Sequence, residues 1–181
     1  MENIFDKIQE IDNVFSDYER IHISTYLNEP NWKWGHRGVM DTNNLFWNML
    51  LTDTEYFRDA LSKKVLSHID GENCELKRIY ANGQTYGLDG DFHTDCHTNS
   101  CGEGVSYTFL WYANEEWHPT WGGYTVFCDT PEITPESNYK YFLPKPNTAL
   151  LFPGDILHYG QSPSRTFGGL RMTLAYKILA L

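Results

Sequence analysis

The sequence predicts an α+β fold, mainly β, formed as one domain over residues 1–181. Residues 1–74 hold helix-patterned stretches and read as a helical support region. From Glu75 to Leu181, short apolar runs are cut by Asn-Gly, Gly-Gly and Pro-Gly turn signals. Strands at that spacing suit an antiparallel sandwich or barrel, with the preceding helices braced against one outer face of a β-roll. A chain of 181 residues, 41% hydrophobic and 15% aromatic, has ample material for one packed core.

The elements follow in order. "NIFDKIQEIDNVF" places Ile4, Ile8, Ile11 and Phe15 near helical spacing, and a helix is expected there. "NWKWGHRG" alternates and reads as a strand. "TDTEYFRDALSKKVLSHI" opens with Thr or Asp caps and an acidic first turn, then sets Phe57, Leu61, Val65 and Leu66 on one side of a helix. Strands are expected within "LKRIYANGQTYGL", "GVSYTFLWYANEEW", "GGYTVFCD", "KYFLPKPNTALLFPGDILHYG" and "LRMTLAYKILAL".

Charge narrows the function classes. With 14 Lys and Arg against 24 Asp and Glu, the net charge is −10. That balance disfavours nucleic acid, whose phosphates want a basic patch, and anionic membrane surfaces. "MENIFDKIQEIDNVF" lacks a basic n-region and a continuous apolar h-region, and no apolar run approaches the length of a membrane span. A soluble cytoplasmic protein is expected, with Cys74, Cys96, Cys101 and Cys128 as reduced thiols.

The stretch "DGDFHTDCHTNSC", residues 89–101, raises the question of a metal. On a strand, His93 and Asp95 at i and i+2 would share a face. They would form two-thirds of a 2-His-1-carboxylate triad, the arrangement that leaves positions open on non-haem Fe(II). His158, after the Pro-Gly-Asp turn of "LLFPGDILHYG", can supply the third ligand; alone it reads more readily as a hydrogen-bonded structural histidine. A zinc site from His93, Cys96, His97 and Cys101 is the alternative. It lacks the second ligand pair usual in structural sites, since Cys74 and Cys128 stand isolated. Further on, "GGLRMTLAYKI" reads as a strand with Arg171 and Thr173 on one face, a fork plus a hydroxyl suited to a carboxylate. Tyr80, on the strand before the His-x-Asp, can add a phenol donor or serve as core.

These pieces, in this order, resemble the Fe(II)/2-oxoglutarate-dependent dioxygenases, in particular their prolyl 4-hydroxylase-like branch. The resemblance runs from Glu75 to the C-terminus, through "RIYANGQTYGLDGDFHTD", "YTFLWYANEEWHPTWGGYTVF" with its Trp-Gly-Gly step, "PKPNTALLFPGDILHYGQSP" and "GGLRMTLAYKI". It implies a double-stranded β-helix, or jelly roll, braced by the N-terminal helices. It further implies Fe(II) on His93, Asp95 and His158, and 2-oxoglutarate with its far carboxylate on Arg171. Thr173 and Tyr80 would help at that end, with Tyr112 a weaker candidate. O2 would be consumed, succinate and carbon dioxide released, and ascorbate is a further cofactor the resemblance allows. One departure is spacing: Arg171 lies 13 positions after His158, longer than the family pattern, which makes Arg165 a rival. Arg171 is preferred because it sits in a strand pattern and Arg165 in a Ser/Pro/Gly loop.

The substrate is less legible. Trp117, His118 and Trp121 read equally as an aromatic wall beside the site or as core and rim packing; Asp89 and Asp91 could meet a basic substrate group but read more readily as solvated loop acids. The resemblance points to a prolyl residue in a peptide or protein. A free amino acid or other small molecule is the alternative substrate. Nucleic-acid demethylation is the remaining one, with Lys177 as the second basic residue that activity would use.

Overall fold

A computed structural model describes residues 3–40, 42–69, 73–95 and 104–181. In chain order, the described elements are a 3-10 turn (Ile4–Lys7), β1 (Gln9–Ile11), α1 (Asp17–Leu27), β2 (Lys33–His36) and β3 (Phe46–Leu50). A π-helical turn (Tyr56–Leu61) then runs into α2 (Ser62–Leu66), followed by β4 (Cys74–Gln84) and β5 (Val105–Tyr112). After a 3-10 turn (Pro119–Trp121) come β6 (Thr125–Cys128), β7 (Tyr139–Phe142), β8 (Ala149–Pro153), β9 (His158–Gly160) and β10 (Arg171–Ala180). The strands form a seven-stranded sheet in the order β1-β8-β5-β10-β4-β3-β2, faced by a three-stranded sheet β7-β6-β9. The pairings are antiparallel. This is the mainly β, helix-braced double-stranded β-helix that the sequence predicts.

Alternation along the central strands separates two faces. Ile79 and Ala81 of β4, Phe109 and Trp111 of β5, and Leu174 and Tyr176 of β10 point outward. They pack with Ile23 and Leu27 of α1 and with Phe57, Leu61 and Val65 of the second helical segment. Burial of each large side chain there stabilises the fold by about 1.5–3 kcal/mol. α1 starts at a capping box: Ser16 accepts from the Glu19 backbone N–H, and the Glu19 carboxylate accepts from the Ser16 N–H at 2.7 Å. The inner face is different. Cross-strand pairs set Arg171 opposite Gln84, Thr173 opposite Asn82 and Tyr112, and Lys177 opposite Arg78 and Thr108. A row of polar groups therefore lines the space between the sheets.

Three expectations for the N-terminal region are corrected. "NIFDKIQEIDNVF" is not a helix: after the 3-10 turn, Gln9–Ile11 pairs with β8 through Gln9↔Leu151, and edge pairing outweighs the local spacing. The second helical segment starts from Glu55 without a Thr or Asp side-chain cap. Phe46–Leu50, inside the support region, is a strand that pairs with β4 and widens the large sheet. Among the described residues, no helix is long and apolar enough to cross a membrane.

Candidate metal centre and anion pocket

His93 and His158 face each other across an isolated antiparallel bridge, each backbone N–H donating to the other's carbonyl at 2.9 Å. Direct cross-strand partners put their side chains on one face. The His-x-Asp lies outside any regular strand, contrary to expectation. Asp95 is placed instead by its own N–H, which donates to the Gly154 carbonyl at 2.7 Å.

Backbone anchors also aim both imidazoles. His93 Nδ1 lies 2.8 Å from the Asp91 carbonyl and His158 Nδ1 lies 2.8 Å from the Ile156 carbonyl. With Nδ1–H donating, each Nε2 keeps its lone pair for the centre of the site. His93 Nε2 is 3.5 Å from Asp95 Oδ1 and His158 Nε2 is 3.3 Å from Asp95 Oδ2. One ligand atom from each residue lies within 4.8 Å of the others. Phe127 stacks on the His158 ring at 5.6 Å and Phe152 meets it edge-on at 4.8 Å, fixing its plane. Two imidazole nitrogens and one carboxylate form a donor set that fits Fe(II) with open positions.

Asp95 is kept ionised. Burial alone would raise its pKa, but Lys177, His158 and His93 outweigh that and hold the carboxyl well below its ordinary value. Thr108 Oγ1 donates to Asp95 Oδ2 at 2.6 Å, and Lys177 Nζ donates to the same oxygen and to Thr108 Oγ1. Burial lowers the His158 pKa, which favours the neutral imidazole a metal requires.

Gly38 packs directly on the His93 ring. A Cβ there would come within 2.9 Å of His93 Nδ1, an atom already held by the Asp91 carbonyl. Gly38→Ala is expected to tilt that imidazole and weaken divalent-metal affinity by about 10–100-fold. Titration with Mn(II), compared with the thermal midpoint, checks this: the affinity should fall while the midpoint holds.

On the inner face of the large sheet, at the start of β10, lies Arg171, which is 2% exposed. Its Nε donates to the Gly123 carbonyl at 2.6 Å, Nη1 to Gln84 Oε1 at 2.9 Å and Nη2 to Thr125 Oγ1 at 3.1 Å. Among the described residues, no carboxylate pairs with it. Burial lowers its pKa to about 10, still charged at neutral pH. An uncompensated buried cation is costly unless an anion joins it. The Trp-Gly-Gly step makes room for this arginine: Gly123 has φ +72°, and a Cβ there would lie 3.1 Å from Arg171 Cδ.

Two cavities meet at the triad. The inner one is lined by Arg171, Thr173, Thr125, Gln84, Tyr80 and both histidines. The outer one, of about 400 Å³, shares Tyr80, His93 and Lys177 with it and extends over Asp95 and Arg78. Tyr112 reaches the inner cavity only indirectly: its hydroxyl donates to Thr125 Oγ1 at 2.9 Å, and its ring lies 5.8 Å from the Arg171 guanidinium.

Other candidates lie elsewhere. Arg165 is exposed, outside both cavities. Trp117, Trp121 and Phe167 pack on one another and line neither cavity; Trp117 meets Gly123 from outside. Asp89 accepts from the Ser162 N–H and Asp91 from the Asn44 amide, so both acids anchor loops. Cys96, His97 and Cys101, and with them the zinc alternative, lie outside the described residues. Sequence reasoning missed Gln84, Thr108 and the place of Lys177 beside Asp95. Continuing the alternation from Tyr80 to Gln84 and from Thr173 to Lys177 would have found two of the three.

The sequence model of the 2OG-Fe(II) oxygenase superfamily matches residues 78–176. No curated protein matches the chain by sequence. Among solved structures, an oxidoreductase of the 2OG-Fe(II) oxygenase family from Burkholderia pseudomallei aligns with TM-score 0.71 at 11% identity, over 96% of this chain and 85% of that one. A prolyl hydroxylase from Trichoplax adhaerens, solved with a hypoxia inducible factor peptide fragment, aligns with TM-score 0.69 at 14% identity, over 98% and 86%. The epimerase SnoN from nogalamycin biosynthesis aligns with TM-score 0.66 at 9% identity, over 98% and 80%.

Proposed function

The chain belongs to the 2OG-Fe(II) oxygenase superfamily, and on that premise we propose that it is a dioxygenase that hydroxylates an unactivated C–H group, with a prolyl residue of a peptide or protein as the favoured target. His93, Asp95 and His158 would hold Fe(II). Arg171 would take the far carboxylate of 2-oxoglutarate, Thr173 and Tyr80 lining the same cavity and Tyr112 orienting Thr125. When bound, iron and 2-oxoglutarate supply the oxidation: O2 gives one atom to succinate and one to the substrate, with loss of carbon dioxide. The protein's part is position and exclusion of water. The observation that carries this reading is a buried guanidinium with no carboxylate partner among the described residues, on the sheet face whose other end, at Lys177, reaches the two-histidine, one-aspartate cluster.

The prolyl target rests on likeness in fold to the Trichoplax adhaerens enzyme and to the viral collagen prolyl hydroxylase of Paramecium Bursaria Chlorella virus-1. SnoN, an epimerase of nogalamycin biosynthesis with a TM-score of 0.66, supports the second reading, a free amino acid or other small molecule as substrate. Lys177, the residue a demethylase would use, is engaged by Asp95 and Thr108.

Incubation with Fe(II), 2-oxoglutarate and ascorbate tests the reading. Succinate should form in step with a gain of one oxygen atom on a proline-containing peptide. Coupled turnover of free amino acids with none of peptides would transfer the function to the second reading.

A further inference from the structure

The outer cavity is basic in an acidic protein. Arg37, Lys77, Arg78 and Lys177 line it, in a chain of net charge −10. Lys177 is engaged by Asp95 and Lys77 lies 2.5 Å from Glu75. Among the described residues, Arg37 and Arg78 have no carboxylate partner. The Arg78 guanidinium rests on the Tyr80 ring at 4.6 Å, which keeps it over the cavity. Among the described residues, Asp95 belongs to the triad, and Asp89 and Asp91 anchor loops. With the summed charge opposed to it, a local basic wall in the cavity that reaches His93 and Asp95 selects for an anion.

We propose that Arg37 and Arg78 bind an anionic group of the substrate, the carboxylate or phosphate of an acidic peptide, beside the residue that is oxidised. This rests on the oxygenase reading above and names its substrate class. His93 and Asp95 line the same cavity as Arg37 and Arg78, so an acidic side chain anchored on the arginines would hold a neighbouring residue of the peptide near the triad. A guanidinium pair suits oxygen anions because its planar donors engage two oxygens at once. A nucleic acid also carries anions, but its long phosphate array would have to cross the acidic remainder of the surface.

Fluorescence anisotropy with three labelled peptides tests the proposal. Each holds one proline flanked by aspartate, by phosphoserine or by lysine. The aspartate or the phosphoserine peptide should bind about tenfold tighter than the lysine peptide, and whichever of the two binds tighter identifies the anion. The preference should disappear in an Arg37→Ala/Arg78→Ala variant whose thermal midpoint is unchanged. Equal affinity for all three peptides, a preference that survives in the variant, or tighter binding of a labelled oligonucleotide than of any peptide would overturn it. Succinate formation by the wild-type protein is read separately. Charge discrimination without succinate keeps the anion site at Arg37 and Arg78 but removes the oxygenase reading, and succinate without discrimination keeps the oxygenase reading and removes the anion site.

Discussion

Asp95→Ala is expected to abolish Fe(II)-dependent conversion of 2-oxoglutarate to succinate, a loss on the order of 10³-fold, or about 4 kcal/mol of barrier. The side chain is the single anion of the triad and is held ionised by Lys177, His158 and His93. Its removal also leaves Lys177, whose side chain is 17% exposed, facing the imidazoles without a carboxylate partner among the described residues. Breaking a buried pair in this way destabilises by about 3–5 kcal/mol. A variant that simply unfolds would lose activity for an uninformative reason. Asp95→Ala/Lys177→Met separates the two effects. Removal of both charges should recover most of the lost thermal midpoint while succinate formation stays absent. A double variant that regains turnover would show that Asp95 acts only as the partner of Lys177.

Arg171→Met should raise the KM for 2-oxoglutarate by roughly 30-fold, the lower end of what loss of a buried charge partner costs. Its effect on stability should be small. Three hydrogen bonds, to Gly123, Gln84 and Thr125, are lost. Against them stands relief from burying a cation with no carboxylate among the described residues, and methionine keeps most of the volume. Steady-state kinetics at varied 2-oxoglutarate, beside a melting curve, check both halves. Arg165→Ala, at an exposed loop position, should leave the KM unchanged. The reverse pattern would move the anion site to Arg165.

The residues that make the site were legible in unequal degree. His93 with Asp95 and Arg171 with Thr173 stand out because each pair has a spacing that implies a face, i and i+2 on one segment and Arg-x-Thr on another, whereas His158 stands out only by its place after a Pro-Gly-Asp turn. Their meeting depends on contacts far apart in the chain. His93 bonds to His158 across 65 positions of sequence, and no local pattern states that register. The same limit explains the N-terminal error. Ile4, Ile8 and Ile11 have helical spacing, yet Gln9–Ile11 satisfies its backbone on β8, a partner formed by residues 149–153. The Trp117–Trp121 pair is ambiguous in sequence for a different reason. Aromatic clusters look alike in sequence whether they line a pocket or close a loop, and this one packs on Phe167 behind Gly123. Lys177 was visible on the correct strand, but only the fold shows that its amine reaches Asp95.

The most direct measurement is an anaerobic titration with Fe(II) and 2-oxoglutarate, followed through the visible charge-transfer absorption of an iron–2-oxo-acid chelate. The expected result is a band that saturates at one iron per chain and is missing from folded His158→Ala. A band of full intensity in that variant, or none in the wild-type protein, would contradict the meeting of these three side chains at one ion.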